Sequence, residues 1–116
     1  MTIQFEARGT AEIARMPATL VLANAASVRS EIQQHIASGA SRLVLDLARV
    51  EFADSSGLTA ILSCVNSARR QGGDVALLSP MPRVRALIEL TCLDDIVTVT
   101  DDEAKAVARV VNRAAA

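Results

Sequence analysis

The chain has 116 residues, 51% of them apolar and 22% charged, with a formal net charge of -1. This length suits one domain with an ordinary buried core, and the near-neutral charge gives no general attraction to nucleic acid or anionic lipid. There is no 18-residue apolar run, no Trp or Tyr and only two Phe, which excludes a helical membrane span and the usual stacking of single-stranded bases on aromatic rings.

The first fifteen residues mix charges with apolar side chains and lack the core of a signal peptide, so a cytoplasmic location is expected. Ile3 to Ala7 alternates as a short edge strand, Arg8-Gly9-Thr10 reads as a turn, and a second strand follows from Ala11 to Met16, where Pro17 interrupts regularity. Asn24 is placed to cap a helix running to Ser38, with Ala25, Val28, Ile32 and Ile36 as its apolar stripe and Gly39 as its stop. Leu43 to Leu47 is apolar enough for a central strand covered on both faces.

After a short loop carrying Val50 and Phe52, the 3.6-residue period of Leu58, Ile61, Leu62, Val65 and Ala68 predicts a helix from Ser56 to Gln71. Arg69 and Arg70 suit the negative end of its dipole, and Gly72-Gly73 ends it. Asp74 to Ser79 reads as the next strand. Pro80-Met81-Pro82 opens a third helix with Val84, Leu87 and Ile88 on one face. A strand at Ile96 to Val99 follows. Thr100-Asp101-Asp102-Glu103 then reads as a capping box for a final helix burying Ala104, Val107 and Val111.

The order β-β-α-β-α-β-α-β-α implies an α/β fold with a mixed, mostly parallel sheet, an antiparallel edge strand and about four helices. One domain over residues 1–113 and a loose tail at 114–116 are expected. Functional loops of such sheets lie at the carboxyl ends of the strands, and Asp54-Ser55-Ser56-Gly57-Leu58 occupies one of these ends. A hydroxyl there meets the positive end of a helix and N–H groups without intrahelical partners. Ser55 is therefore a helix cap or a phosphorylation site, with Ser56 as a lesser acceptor. Asp54 either orients that hydroxyl or caps the helix, and Gly57 permits close approach of a partner backbone or an ordinary turn.

Other chemistry finds little support. His35, the sole histidine, lies beside a helix stripe, and Gly-x-Ser-x-Gly is absent, so a serine hydrolase is not expected. No metal constellation or phosphate loop is present, no cofactor is implied, and the protein is not expected to be an enzyme. Cys64 and Cys92 lack companions at ligand spacing and read as small buried hydrophobes. Asp46 reads as a structural acid.

The stretch from Leu45 to Leu58, LDLARVEFADSSGL, resembles the signature of STAS domains, typified by bacterial anti-sigma factor antagonists. The Gln71-Gly72-Gly73 helix end, the Ser79-Pro80 strand exit and the run Val84 to Leu90 followed by Leu93-Asp94 fit as well. The resemblance implies a protein that binds an anti-sigma factor with ATP-dependent serine kinase activity and is switched off by phosphorylation of Ser55, a serine phosphatase restoring it. Asp54, Ser55, Ser56, Gly57 and Leu58 are the partner-binding residues it implies. The chain departs from the family's Gly-x-Leu-Asp at the corresponding place, reading Ala18-Thr19-Leu20-Val21, and has Cys92 where glycine is common. Two other readings also stay open: a subunit regulating the ATPase of an ABC transporter, including phospholipid-transport systems, a role the resemblance to stand-alone STAS domains implies, and a plain interaction module in which Ser55 is never modified.

Overall fold

In the strand β4 (Arg42–Asp46), Leu43, Val44 and Leu45 are all fully removed from water, because alternate side chains feed two separate apolar layers. The computed structural model describes residues 3–115, with side chains through 112. Its main sheet holds β1 (Gln4–Arg8), β2 (Ala11–Arg15), β4, β6 (Asp74–Leu78) and β7 (Thr98–Thr100) in the order β1-β2-β4-β6-β7. Only β1 and β2 pair antiparallel; the other three pairings are parallel. A second sheet of two residues each joins β3 (Thr19–Leu20) to β5 (Phe52–Ala53).

The register places Ala14, Leu45, Leu77 and Val99 in one row across the sheet. Over that face pack α1 (Leu22–Ala37), α2 (Ser55–Arg70) and α3 (Pro82–Leu90), contributing Ile32, Ile61, Val65 and Ile88 to the larger core. The opposite face carries Ile13, Val44, Ala76 and Leu78, and is covered by α4 (Glu103–Ala115). A 3-10 turn at Leu93–Asp95 links α3 to β7. The α/β architecture, mostly parallel with an antiparallel edge pair and four helices, is the expected one.

Several details differ from expectation. α1 begins two residues before Asn24, with Val21 at the cap position; Asn24 serves from inside the helix, its Oδ1 accepting the Val21 N–H at 2.9 Å. α2 begins at Ser55, because Asp54 is the residue that caps it. α4 buries Ala106 and Val110, whereas Ala104 is exposed and Val107 and Val111 only half-buried. Its cap is Asp102, whose Oδ1 accepts the Lys105 N–H at 3.2 Å; Glu103 instead pairs with Arg8 at 3.1 Å. The last strand begins at Thr98, since Leu93–Asp95 winds into the 3-10 turn and leaves Ile96 45% exposed. The backbone of α4 runs through Ala115, into the expected tail at 114–116; Ala116 lies outside the described residues.

Candidate functional site

The small β3–β5 sheet sets the geometry of the Asp54 to Leu58 loop. The Ala18 carbonyl accepts the Glu51 N–H at 2.8 Å, and the Asp54 N–H donates to the Leu20 carbonyl at 3.1 Å. The Asp54 carboxylate then caps two helices at once. Its Oδ1 accepts the Gly57 N–H of α2 at 3.1 Å, and its Oδ2 accepts the Leu22 N–H at the start of α1 at 3.0 Å. The Leu22 and Gly57 N–H groups hold its carboxyl below the usual aspartate range, since both bonds favour the charged form. Two positive helix ends thus converge on one anion.

Gly57 is buried for a steric reason. A Cβ there would sit 2.0 Å from the Leu20 carbonyl oxygen and 2.7 Å from its carbon. Its hydrogen therefore lets α2 close on β3 within the chain itself. Leu58 is 5% exposed and belongs to the core. The outward part of the loop is Ser55, exposed, together with Ser56 and Asp54, half-buried. Among the described residues neither serine hydroxyl is a hydrogen-bond partner; Thr59 donates instead to the Ser55 carbonyl at 2.8 Å.

Ser55 stands on a ridge between two shallow clefts. One, of about 300 Å³, lies between α1 and α2 and is lined by Leu22, Ala25, Ala26, Arg29, Ser56 and Thr59. The other, of about 140 Å³, faces α3 and its following turn, with Leu58, Leu62, Thr91, Leu93 and Ile96 around it. Three large apolar side chains stay exposed near the starts of the helices: Leu22 at 76%, Phe52 at 53% and Met81 at 37%. The Arg83 guanidinium covers the Phe52 ring at 5.3 Å. Reading the sequence alone did not single out Leu22, Arg29 or Phe52 for this surface; the exposed Leu22, one residue past the missing strand-end aspartate, was the available signal.

The remaining candidates have structural work. Asp46 pairs with Arg15 at 2.6 Å and accepts the Ala48 N–H at 3.0 Å. The His35 ring stacks on Phe5 with centroids 3.7 Å apart, its Nε2 meeting Glu12 Oε1 at 2.6 Å. Cys64 is buried as expected, and burial pushes its thiol up to about 12. Cys92 is not: it is exposed, with φ +59°, because the turn after α3 presents it outward in a left-handed conformation. Among the described residues no helix is long and apolar enough to cross a membrane.

The family profile of the STAS domain matches residues 2–106. This chain is a STAS-domain protein. It belongs with the anti-sigma factor antagonists of that family. It is 30% identical over 86 residues to a Bordetella bronchiseptica protein named as an anti-sigma factor antagonist, BtrV, covering 74% of each chain. Among solved structures it resembles the Thermotoga maritima protein TM1081, also named as an anti-sigma factor antagonist, with a TM-score of 0.85, 29% identity and 94% of both chains covered. It also resembles the anti-sigma factor antagonist SpoIIAA in its unphosphorylated form, with a TM-score of 0.78, 25% identity and 96% and 97% of the two chains covered.

Proposed function

We propose that this STAS-domain protein is an anti-sigma factor antagonist that binds an anti-sigma factor with serine kinase activity, and that phosphorylation of Ser55 turns the binding off. The observation that carries this reading is the exposed Ser55, its hydroxyl without a hydrogen-bond partner among the described residues, on a ridge between two clefts. In the modifying step the Ser55 oxygen takes the γ-phosphoryl group of ATP. The bridging P–O bond to ADP breaks, and the hydroxyl proton leaves to the kinase. A serine phosphatase reverses the change by hydrolysis.

A phosphoserine carries about -1.5 to -2 charges near pH 7. At the first residue of α2 it gains about 0.3–1 kcal/mol from the helix end, while the Asp54 carboxylate beside it opposes that gain. The fold therefore changes little. A partner surface fitted to a compact neutral hydroxyl meets a hydrated dianion instead, and each 1.4 kcal/mol of mismatch costs about tenfold in affinity. Of the residues around the motif, Asp54 and Gly57 shape the ridge from beneath, Leu58 anchors it in the core, and Ser55 and Ser56 meet the partner.

The test compares Ser55→Ala and Ser55→Asp for binding to the cognate anti-sigma factor by calorimetry. The alanine variant is expected to bind like the unmodified chain and the aspartate variant at least tenfold more weakly. Equal affinities would falsify the switch.

A further inference from the structure

Arg29 is exposed on α1 and forms no ion pair among the described residues, whereas Arg8, Arg15, Arg69, Arg85 and Arg109 each face a carboxylate. Leu22 reaches Asp54 near the starts of α1 and α2, and Gln33 reaches Ser63 and Ser67 further along, so the two helices run side by side in the same direction. That alignment sets Arg29 opposite Ile61, about 9 Å along α2 beyond Ser55, and Arg29 and Ser55 line one cleft. Across helices about 8–10 Å apart, a long guanidinium stem and a phosphorylated serine can meet over the cleft. The cleft they share is lined besides by Leu22, Ala25, Ala26, Ser56, Thr59 and Ala60.

Among the described residues Arg29 is the only cation lining either cleft beside Ser55. The adjacent carboxylate, Asp54, is occupied by the N–H groups of two helices, and among the described residues no charged side chain lines the cleft toward α3. We propose that Arg29 is the internal counter-charge for a phosphate on Ser55, drawing the modified side chain across the mouth of the α1–α2 cleft. The inference rests on Ser55 being the modified residue. Guanidinium offers a planar pair of donors suited to two phosphate oxygens. Modification on this account does two things: it adds negative charge to the ridge and closes one of the two depressions that flank it.

The experiment uses full-length protein with phosphoserine incorporated at position 55, titrated by phosphorus NMR in the native chain, in Arg29→Gln and in Arg70→Gln. Arg70 is exposed at the far end of α2 and controls for net charge. The phosphate's second ionisation, ordinarily near pH 6, is expected about half a pH unit or more lower in the native chain than in Arg29→Gln, with Arg70→Gln matching the native chain. Identical values in the native chain and Arg29→Gln overturn the proposal, as does an equal shift in Arg70→Gln. Failure of the switch itself appears in the binding assay on Ser55→Ala and Ser55→Asp and leaves this titration unaffected, so the two ideas fall separately.

Discussion

Replacing Gly57 by alanine sets two effects of opposite sign against each other. A helical glycine exchanged for alanine normally gains about 1 kcal/mol in propensity. Here the added methyl would stand 2.0 Å from the Leu20 carbonyl oxygen and 2.8 Å from its Cβ, against an ordinary contact of 3.4–4 Å. Relief requires α2 and β3 to part by more than about 1 Å. Leu20 cannot easily give way: it is fully buried, and its carbonyl is held by the Asp54 N–H. Overpacking of this kind costs about 3 kcal/mol, leaving a net loss of about 2 kcal/mol after the propensity gain. For a domain of this size that lowers Tm by about 8 °C. Thermal unfolding followed by circular dichroism measures it directly. A Tm unchanged or raised in Gly57→Ala would show that the strand and helix are not in the tight contact described.

Four further outcomes follow from the packing. Asp54 has a depressed carboxyl, so its stabilisation is present above the ordinary value of 3.8 and disappears as pH falls through the lower folded value. Urea midpoints of the native chain and Asp54→Ala should differ by a constant amount from pH 5 to 8 and converge in strong acid; a gap persisting at pH 2 contradicts the capping role. Asp74 is 1% exposed and paired with Arg69 at 2.9 Å, so Asp74→Ala should cost about 3 kcal/mol in chemical denaturation, and a loss under about 1 kcal/mol counts against the pair. Of the two thiols, Cys92 should react with a maleimide in the native state and Cys64 only on unfolding. Cys92→Gly should gain about 1 kcal/mol by freeing a left-handed residue, read as a higher Tm.

The parts of the fold written in local pattern were legible. The stripe from Leu58 to Ala68 places α2, and the apolar run at Leu43 to Leu45 places the central strand, because each signal lies within one element. What stayed hidden depends on distant residues. The start of α1 is fixed by Asp54, thirty-two positions from Leu22, so no cap signal exists at Val21 itself. Strands of two residues, β3 and β5, are too short to show alternation. α4 carries two apolar stripes, and only the sheet decides that Ala106 and Val110 turn inward rather than Ala104 and Val107. At the site, Ser55 and Asp54 could be singled out from the motif, but the ridge and the neighbouring Arg29 arise from two helices lying together.

The shared carboxylate of Asp54 has a consequence for how any visitor would be received. Since one anion ties the opening turns of α1 and α2 together, neither helix can tilt to greet a ligand without disturbing the other. Docking then orders little chain, spends little conformational entropy, and should proceed as the meeting of two stiff bodies whose rate is set by diffusion and orientation.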